Sequence, residues 1–180
     1  MTTDTDAALR AQLDNLVAHE AARQRFYAVC RAMDRLDREL LAAQFWPDAE
    51  VDYGVFYKGV IGGFLDVAMG FQGSMRDTQH LVGNVLAQVE GAELAAEAYV
   101  QAHHVIATPE GNVQLLVGAR YLSRMQRRGD EWRIAYQTEV LDWGRWLPIA
   151  DRWFDDNAEM PKGRRDRDDL SYRLGIRTAR

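Results

Sequence analysis

The chain has 180 residues, 47% of them hydrophobic, and a formal net charge of −5. This length suits one globular domain that buries about two thirds of the surface exposed by its unfolded chain. The negative charge argues against wholesale nucleic-acid binding, and no run of about 18 apolar residues predicts a membrane span. A polar, acidic start and a single cysteine predict a cytoplasmic protein without a disulfide framework or a Cys-rich zinc site.

The first segment of the chain predicts two helices. Residues 7–31 are strong helix formers without Pro or Gly, and their apolar side chains recur at three-to-four spacing. A second helix is predicted over residues 35–45, since the proline of Trp46-Pro47 biases the preceding residue out of the helical region. Both helices present an apolar stripe that we expect to pack on a common core.

Short strands and a third helix follow. Residues 49–53 alternate apolar and polar side chains as a strand does, and a second short strand is predicted around residues 55–58. Apolar residues at helical spacing from Ile61 onward predict a third helix that runs to about Met75.

After the third helix the hydrophobic pattern changes to that of long strands. Glu90-Gly91, Pro109-Glu110-Gly111 and Arg128-Gly129-Asp130 separate the runs with turn residues at hairpin spacing. The four runs are Thr78–Glu90, Ala92–Thr108, Asn112–Arg128 and Glu131–Trp143. Together they predict an α+β fold, a conical barrel of a curved, mainly antiparallel sheet covered by three N-terminal helices, with a pocket between the layers.

We expect one domain over residues 1–145 and a C-terminal extension over residues 146–180. The extension contains Trp146, Leu147, Ile149, Trp153 and Phe154, so it is too apolar for a disordered linker. We therefore expect it to pack on the body or on a neighbouring subunit. Its arginines alternate with aspartates, which favours a solvated or subunit-clasping segment over a polyanion site.

The sequence lacks the common motifs of nucleotide and serine chemistry. It has no Gly-x-Gly-x-x-Gly, no phosphate-binding loop and no Gly-x-Ser-x-Gly elbow. Adjacent His103 and His104 must point to opposite faces of a predicted strand, so they cannot ligate one ion together. A two-His-one-carboxylate iron site made by His80, one of these histidines and Asp34 stays open, although the spacing carries no specific signal for it.

The remaining candidate chemistry is acid–base catalysis by His80 and Asp34. His80 begins an apolar, strand-like run, and imidazole titrates near neutrality, so a carboxylate beside it would make it a base. The alternative for His80 is a core histidine bonded to a carbonyl, and for Asp34 it is the N-cap of the second helix. Asp37 is the alternative carboxylate, but we expect it to face solvent.

Six segments along residues 10–145 carry a resemblance to a known family. They are Met33–Asp37, Phe45–Ala49, Asp52–Gly54, Thr78–Asn84, Gly118–Tyr121 and Trp132–Ala135. Their order resembles the SnoaL-like branch of the nuclear-transport-factor-2-like superfamily. That branch includes scytalone dehydratase, bile acid 7α-dehydratase, hexachlorocyclohexane dehydrochlorinase and lyases that release formaldehyde from lignin-derived diarylpropanes. The resemblance implies a conical barrel, usually trimeric, that uses no cofactor.

The resemblance also implies roles for individual residues. Asp34 would orient His80, which would remove a substrate proton, and Tyr53 would help to polarise a substrate carbonyl through water. His103 falls, within a residue or two, at a second polar position of the pocket. Tyr136 or its neighbour Gln137 stands where the dehydrochlorinase places a cationic side chain, which disfavours halide elimination.

We expect an apolar and aromatic pocket that suits a hydrophobic aromatic or polycyclic substrate. Tyr121, with His103 and Tyr53, is a candidate donor to the oxygen where charge develops. The other expected lining residues are Phe56, Phe64, Met69, Leu81, Val117, Ala119 and Tyr136. For each apolar residue taken singly, ordinary core packing is the simpler explanation.

The predicted function is that of a cofactor-independent lyase with an Asp-His dyad and no metal. It would eliminate water or cleave a C–C bond with release of formaldehyde. Double-bond isomerisation of a cyclic ketone uses the same dyad, and a non-catalytic ligand-binding or dioxygenase β-subunit-like protein has the same fold. Expected partners are the small molecule and further copies of the chain, as a trimer or a dimer, without nucleic acid or membrane. The sequence does not choose among these reactions.

Overall fold

The computed structural model describes residues 2–149 and 156–173. Its helices and strands, in chain order, are α1 Thr2–Asp34, α2 Arg38–Ala43, β1 Phe45–Asp52, β2 Lys58–Val60, α3 Ile61–Ser74, β3 Asp77–Glu90, β4 Glu93–Thr108, β5 Gly111–Arg128, β6 Glu131–Pro148 and α4 Leu170–Arg173. No helix among these residues is both long enough and apolar enough to cross a membrane.

The six strands form one sheet in the order β2-β1-β6-β5-β4-β3. β3 to β6 pair antiparallel with their sequence neighbours, while β1 pairs parallel with β6. Gly91 and Gly129 have φ of 63° and 65° in the tight turns, a left-handed conformation that glycine adopts without steric cost. The predicted α+β fold, with helices covering a curved and mostly antiparallel sheet, is confirmed.

The helices pack on the concave side of the sheet and enclose the core. Phe26 and Val29 of α1 are completely buried, as is Leu41 of α2. They share the core cluster with Phe45 of β1 and Ile134 of β6. Burial of an aliphatic or aromatic side chain of this size contributes about 1.5–3 kcal/mol each, so this cluster holds the layers together.

The N-terminal part of α1 differs from the expectation. The helix begins earlier than predicted, and Leu13, Leu16 and Val17 of its apolar stripe are 51–62% exposed. Burial begins at Ala18, where the helix comes against the sheet. The stripe therefore continues beyond the part of the helix that the sheet covers.

The junction between α1 and α2 contains one residue with a left-handed backbone conformation. Leu36 has φ of 52°, and the Asp37 N–H bonds to the Ala32 carbonyl at 2.8 Å, which closes the helix end as a Schellman-type turn. Asp37, not Asp34, is the N-cap of α2, because its carboxylate accepts the Leu40 N–H at 3.0 Å. Asp37 is only 7% exposed, so the expectation that it faces solvent was wrong.

Two strand boundaries also differ. β1 already starts at Phe45 and includes Pro47, which was expected to follow a helix end. Pro47 lies in the irregular stretch between Phe45 and Glu50, where β1 makes no regular pairs with β6 and a missing N–H costs little. β2 occupies residues 58–60 rather than 55–58, since Tyr53 N–H bonds to the Tyr57 carbonyl and closes a wider turn.

The C-terminal segment returns to the helices. β6 continues to Pro148, past the expected domain boundary at residue 145, and Trp153 and Phe154 lie outside the described residues. Further on, the Arg165 guanidinium donates to the carbonyls of Asp34, Gln72 and Met75 at 3.4, 2.6 and 2.8 Å. This arginine therefore ties the ends of α1 and α3 together.

Candidate functional site

Asp34 and His80 meet where the end of α1 lies against β3. One carboxylate oxygen of Asp34 is 2.7 Å from His80 Nδ1, and the other accepts the backbone N–H of His80 at 2.9 Å. The His80 side chain is 3% exposed and that of Asp34 10%. The pair is therefore shielded from water, and two bonds from one carboxylate fix both the ring and the strand that carries it.

A second histidine borders this pair. His104 of β4 is 4% exposed, its Nδ1 is 3.0 Å from Thr78 Oγ1, and its ring centroid is 5.4 Å from that of His80. The pKa of His104 is lowered to about 4, mainly by burial and also by the neighbouring His80, while Asp34 opposes the change. His104 is therefore a neutral imidazole at pH 7.

A cavity of about 460 Å³ lies between α3 and the inner face of the sheet. His80 and His104 are part of its wall, whereas Asp34 lies behind His80 and faces a separate groove. The remaining wall residues are mostly apolar or aromatic: Met33, Tyr53, Phe56, Phe64, Val67, Ala68, Phe71, Gln72, Ala102, Leu115, Val117, Tyr121, Glu139, Leu141, Asp142, Trp143, Gly144 and Trp146. No Lys or Arg is among the residues that line this cavity.

Hydrogen bonds hold the two tyrosines of the cavity wall. Gln137 Nε2 donates to the Tyr53 hydroxyl at 2.6 Å, and Gln137 Oε1 accepts from Ser123 Oγ at 3.1 Å. The Tyr121 hydroxyl also donates to Tyr53. Burial raises the pKa of both Tyr53 and Tyr121 well above the usual value of tyrosine. Both hydroxyls therefore keep their protons, and Tyr53, which accepts two bonds, has its own O–H left to donate.

Glu139 places a carboxyl group in the cavity wall, which also contains Asp142. It lies on β6 directly across from Tyr121 on β5 and is partly buried. Burial raises the pKa of the Glu139 carboxyl, and the nearby His80 offsets part of this effect. No donor from the described part of the chain makes a hydrogen bond with it.

The structure brings together Asp34, His80, Tyr53, Tyr121 and Phe64 as expected. Phe56 is also part of the wall, although 56% of it is exposed, and its ring meets Phe71 edge-on with 5.6 Å between centroids. These two phenylalanines form part of the rim of the cavity.

Other predicted lining residues lie elsewhere. His103 lies on the opposite face of β4, so the polar position of the pocket is taken by its neighbour His104. Tyr136 faces an outer groove, where the Arg124 guanidinium lies 5.1 Å from its ring centroid. A bulge in β6 opposite Arg124/Met125 reverses which residues point inward, so Gln137 and Glu139 replace Tyr136.

Three apolar residues were also misplaced. Met69 is half-buried and packs against the main core, and Ala119 is 5% exposed but absent from the cavity wall. Leu81 is 65% exposed, because side chains alternate along β3 and its neighbour His80 takes the inward position.

The sequence analysis missed Glu139, and it did not choose between His103 and His104 as the histidine that faces the pocket. The available signal for Glu139 was a charged residue in the middle of an otherwise strand-like run. The signal for His104 was the forced alternation of the His103-His104 pair, which needs the strand register to be resolved. Within residues 2–149 and 156–173, no group of three His, Cys, Asp or Glu side chains is arranged to hold a metal ion.

The comparisons with known proteins identify the family. Residues 14–138 match the model of a SnoaL-like domain. A type 2 hexachlorocyclohexane dehydrochlorinase is 22% identical with a TM-score of 0.70, over 78% of this chain and 96% of that one. A proposed scytalone dehydratase from Novosphingobium aromaticivorans is 19% identical with a TM-score of 0.65, over 76% and 91% of the two chains. Among curated protein sequences none is significantly similar. At these identities the solved structures establish the fold.

Proposed function

The chain belongs to the SnoaL-like domain family, and on that premise we propose that it is a cofactor-independent lyase. In this proposal His80 removes a proton from a neutral, ring-bearing substrate, and a bond to a leaving group on the neighbouring atom then breaks. The observation that carries the proposal is the Asp34–His80 pair at the wall of an apolar cavity.

The hydrogen bonds support the assignment of the base. The Nδ1–H group of His80 donates a hydrogen bond to the Asp34 carboxylate, which leaves Nε2 as the unprotonated nitrogen. Asp34 also holds the backbone N–H of His80, so the ring cannot turn away without breaking a second bond. A positioned base of this kind accelerates a reaction by about 10²–10⁴-fold. That suffices only for a C–H or O–H bond that a carbonyl or aryl group has already made acidic.

Tyr53 would supply the electrophilic half of the reaction. Its hydroxyl accepts from Gln137 and Tyr121, and its own proton is free to bond to a substrate oxygen on which negative charge develops. Donors held in advance need no rearrangement as that charge appears. Tyr53 would therefore complement the base within the same cavity.

The wall of the cavity indicates the class of substrate. Aromatic side chains such as Phe64, Phe71 and Trp143 suit an apolar ring system. The wall contains carboxyl groups but no Lys or Arg, so an anionic substrate would find no permanent positive charge there. We therefore propose a neutral aromatic or polycyclic alcohol or ketone as substrate.

A panel of such compounds tests the proposal. The purified protein would be incubated with aromatic and polycyclic alcohols, and loss of water, release of formaldehyde and movement of a double bond would be followed by mass spectrometry. We expect turnover that His80→Gln abolishes while the circular dichroism spectrum stays unchanged. His103→Gln, on the outer face of the next strand, is the matched control and should keep full activity.

Two results would contradict the proposal. Turnover that survives in folded His80→Gln would exclude His80 as the base. A wild-type protein that binds members of the panel in the cavity without converting any of them would instead indicate a ligand-binding protein.

A further inference from the structure

Glu139 is a carboxyl group in the cavity wall that the proposed proton abstraction does not use. Among the described residues it has no hydrogen-bond donor and no cationic partner other than a protonated His80. An isolated carboxylate is costly to bury, so such a group tends to stay protonated unless a positive charge comes near it. The cavity wall contains no Lys or Arg that would provide such a charge.

The surroundings of Glu139 place it in the same cavity wall as the base. It is directly across from Tyr121 in the β5–β6 ladder and lines the same cavity as His80. Its charge also influences Cys30, Tyr53 and Tyr121, so it lies close to all three. The other titratable groups of the cavity wall are Tyr53 after β1, His80 from β3, His104 from β4, Tyr121 from β5 and Asp142 from β6. Cys30 of α1 lies outside this wall but near Glu139.

These neighbours leave Glu139 as the group of the cavity wall that is best suited to donate a proton. Cys30 and the two tyrosines hold their protons too tightly, because burial raises the pKa of all three well above their usual values. Asp142 already has a cationic partner, because the Arg120 guanidinium lies 3.0 Å from its carboxylate. Burial raises the pKa of Glu139, which brings it toward the range in which a carboxylic acid donates a proton at neutral pH.

We propose that Glu139 is the general acid that protonates a departing hydroxyl group, which makes the reaction of this chain the elimination of water. This inference rests on the proposed function and specifies its leaving group. His80 Nε2 takes the hydrogen from carbon, and the electrons of that C–H bond form the new double bond. The C–O bond breaks, and its oxygen takes the proton of Glu139 and leaves as water.

The cycle closes without a further reactant. After elimination His80 is an imidazolium and Glu139 a carboxylate, and the net transfer of one proton from His80 to Glu139 through water restores both. The two charges also stabilise each other while they last, because each lies in a poorly hydrated wall. His80 and Glu139 would thus provide the base and the acid that elimination of a poor leaving group requires.

Infrared spectroscopy tests the protonation state without any substrate. The wild-type protein at pH 7 should show the carbonyl stretching band of a protonated carboxylic acid, and Glu139→Gln should lose it. Glu90→Gln, an exposed substitution of the same kind at the end of β3, is the control and should keep it. A difference spectrum that contains no such band would overturn the proposal.

Kinetics on a hydroxylated substrate then separate the acid from the base. Glu139→Gln should lower kcat for water loss by about 100-fold, yet still exchange the acidic substrate hydrogen with deuterated water. His80→Gln should lose both reactions. With the acetate ester of the same alcohol, whose leaving group needs no proton, the effect of Glu139→Gln should nearly disappear.

The outcomes separate the role of Glu139 as the acid from the lyase function itself. An equal loss of exchange and elimination in Glu139→Gln, or no loss of either, would exclude Glu139 as the acid while leaving the base in place. A protein that shows the infrared band but converts no compound would overturn the lyase function, and with it the catalytic part of this inference.

Discussion

Asp34 accepts two hydrogen bonds from a single residue, since His80 donates to it both from its backbone N–H at 2.9 Å and from ring Nδ1 at 2.7 Å. One carboxylate thus fixes the rotation of the ring, its tautomer and the position of the strand at that point. Because Asp34 both orients the His80 ring and holds the β3 backbone, its replacement should affect both catalysis and the local structure.

Asp34→Asn should lower kcat by about 10²–10⁴-fold, because an amide cannot accept from both N–H groups and the proton of His80 then moves to Nε2. Steady-state turnover on the best substrate of the panel measures this effect. Asp37→Asn is the matched control, since it changes another buried carboxyl three residues away and asparagine is an equally good N-cap. An equal loss of kcat in both variants would mean that a disturbed α1–α2 junction causes the loss, rather than a change at the Asp34–His80 pair.

Tyr53→Phe should reduce both turnover and stability. It removes the acceptor of the Gln137 amide and the Tyr121 hydroxyl, and leaving buried donors unpaired costs about 1–3 kcal/mol of unfolding free energy. Loss of the proposed donor to the substrate should lower kcat by about 10²–10³-fold. Chemical denaturation and kinetics give the two values. Tyr57→Phe, whose hydroxyl bonds only the Val60 carbonyl at the surface, should show neither change.

The stability of the protein should fall on mild acidification because of His104. Its pKa is about 4 in the fold, below the 6.5 of an unperturbed histidine, so the unfolded chain takes up the proton first. Stability is therefore intact above pH 6.5 and decreases as the pH falls toward 4, by up to about 3 kcal/mol from this residue alone. His104→Asn should flatten the profile of unfolding free energy over this interval, and His103→Asn should not. Parallel profiles for His104→Asn and the wild type would rule out this residue as the cause.

Gly118→Ala should narrow the cavity. A Cβ at residue 118 would collide with the indole of Trp143, which is part of the cavity wall and is 43% exposed. Because the indole can move, the fold should survive, but the shifted ring should weaken substrate binding and raise KM more than it lowers kcat. Gly83→Ala, in β3 and outside the cavity wall, is the control because its added Cβ would make only ordinary contact. An unchanged KM would mean that the indole moves away from the cavity.

Arg165→Ala should destabilise the site from a distance. Its guanidinium donates to carbonyls at the ends of α1 and α3, including that of Asp34, and losing these bonds should cost about 1–3 kcal/mol. With Asp34 less firmly held, kcat should fall while the substrate still binds. Arg164→Ala removes a neighbouring exposed guanidinium that pairs only with Asp166 and Asp168, so it should have little effect.

Turn chemistry and periodicity were sufficient to predict the four long strands of the sheet. Gly91 and Gly129 mark hairpins because few other residues adopt positive φ easily, and the strands between them follow from their length and apolar content. The helix junction was harder to predict, since its left-handed residue is Leu36, which no sequence rule marks as a helix end.

The candidate site was predictable only in part, for a related reason. His80 and Asp34 were the candidates left after other motifs had been excluded, and the resemblance to a family supported this pair and added Tyr53. His104 and Glu139 depend on strand register and on the bulge in β6, and a shift of one residue exchanges the inner and outer faces. Such a shift is decided by contacts across the whole barrel, which local sequence does not report.

The clamp made by Arg165 comes from outside residues 14–138, the part of the chain that matches the family domain. We therefore expect the alignment of the proposed general base to depend on sequence that this domain does not supply. A proteolytic cut, a fusion partner or a bound protein at the tail would therefore act as a control on the reaction rate, although none of them would come near the substrate.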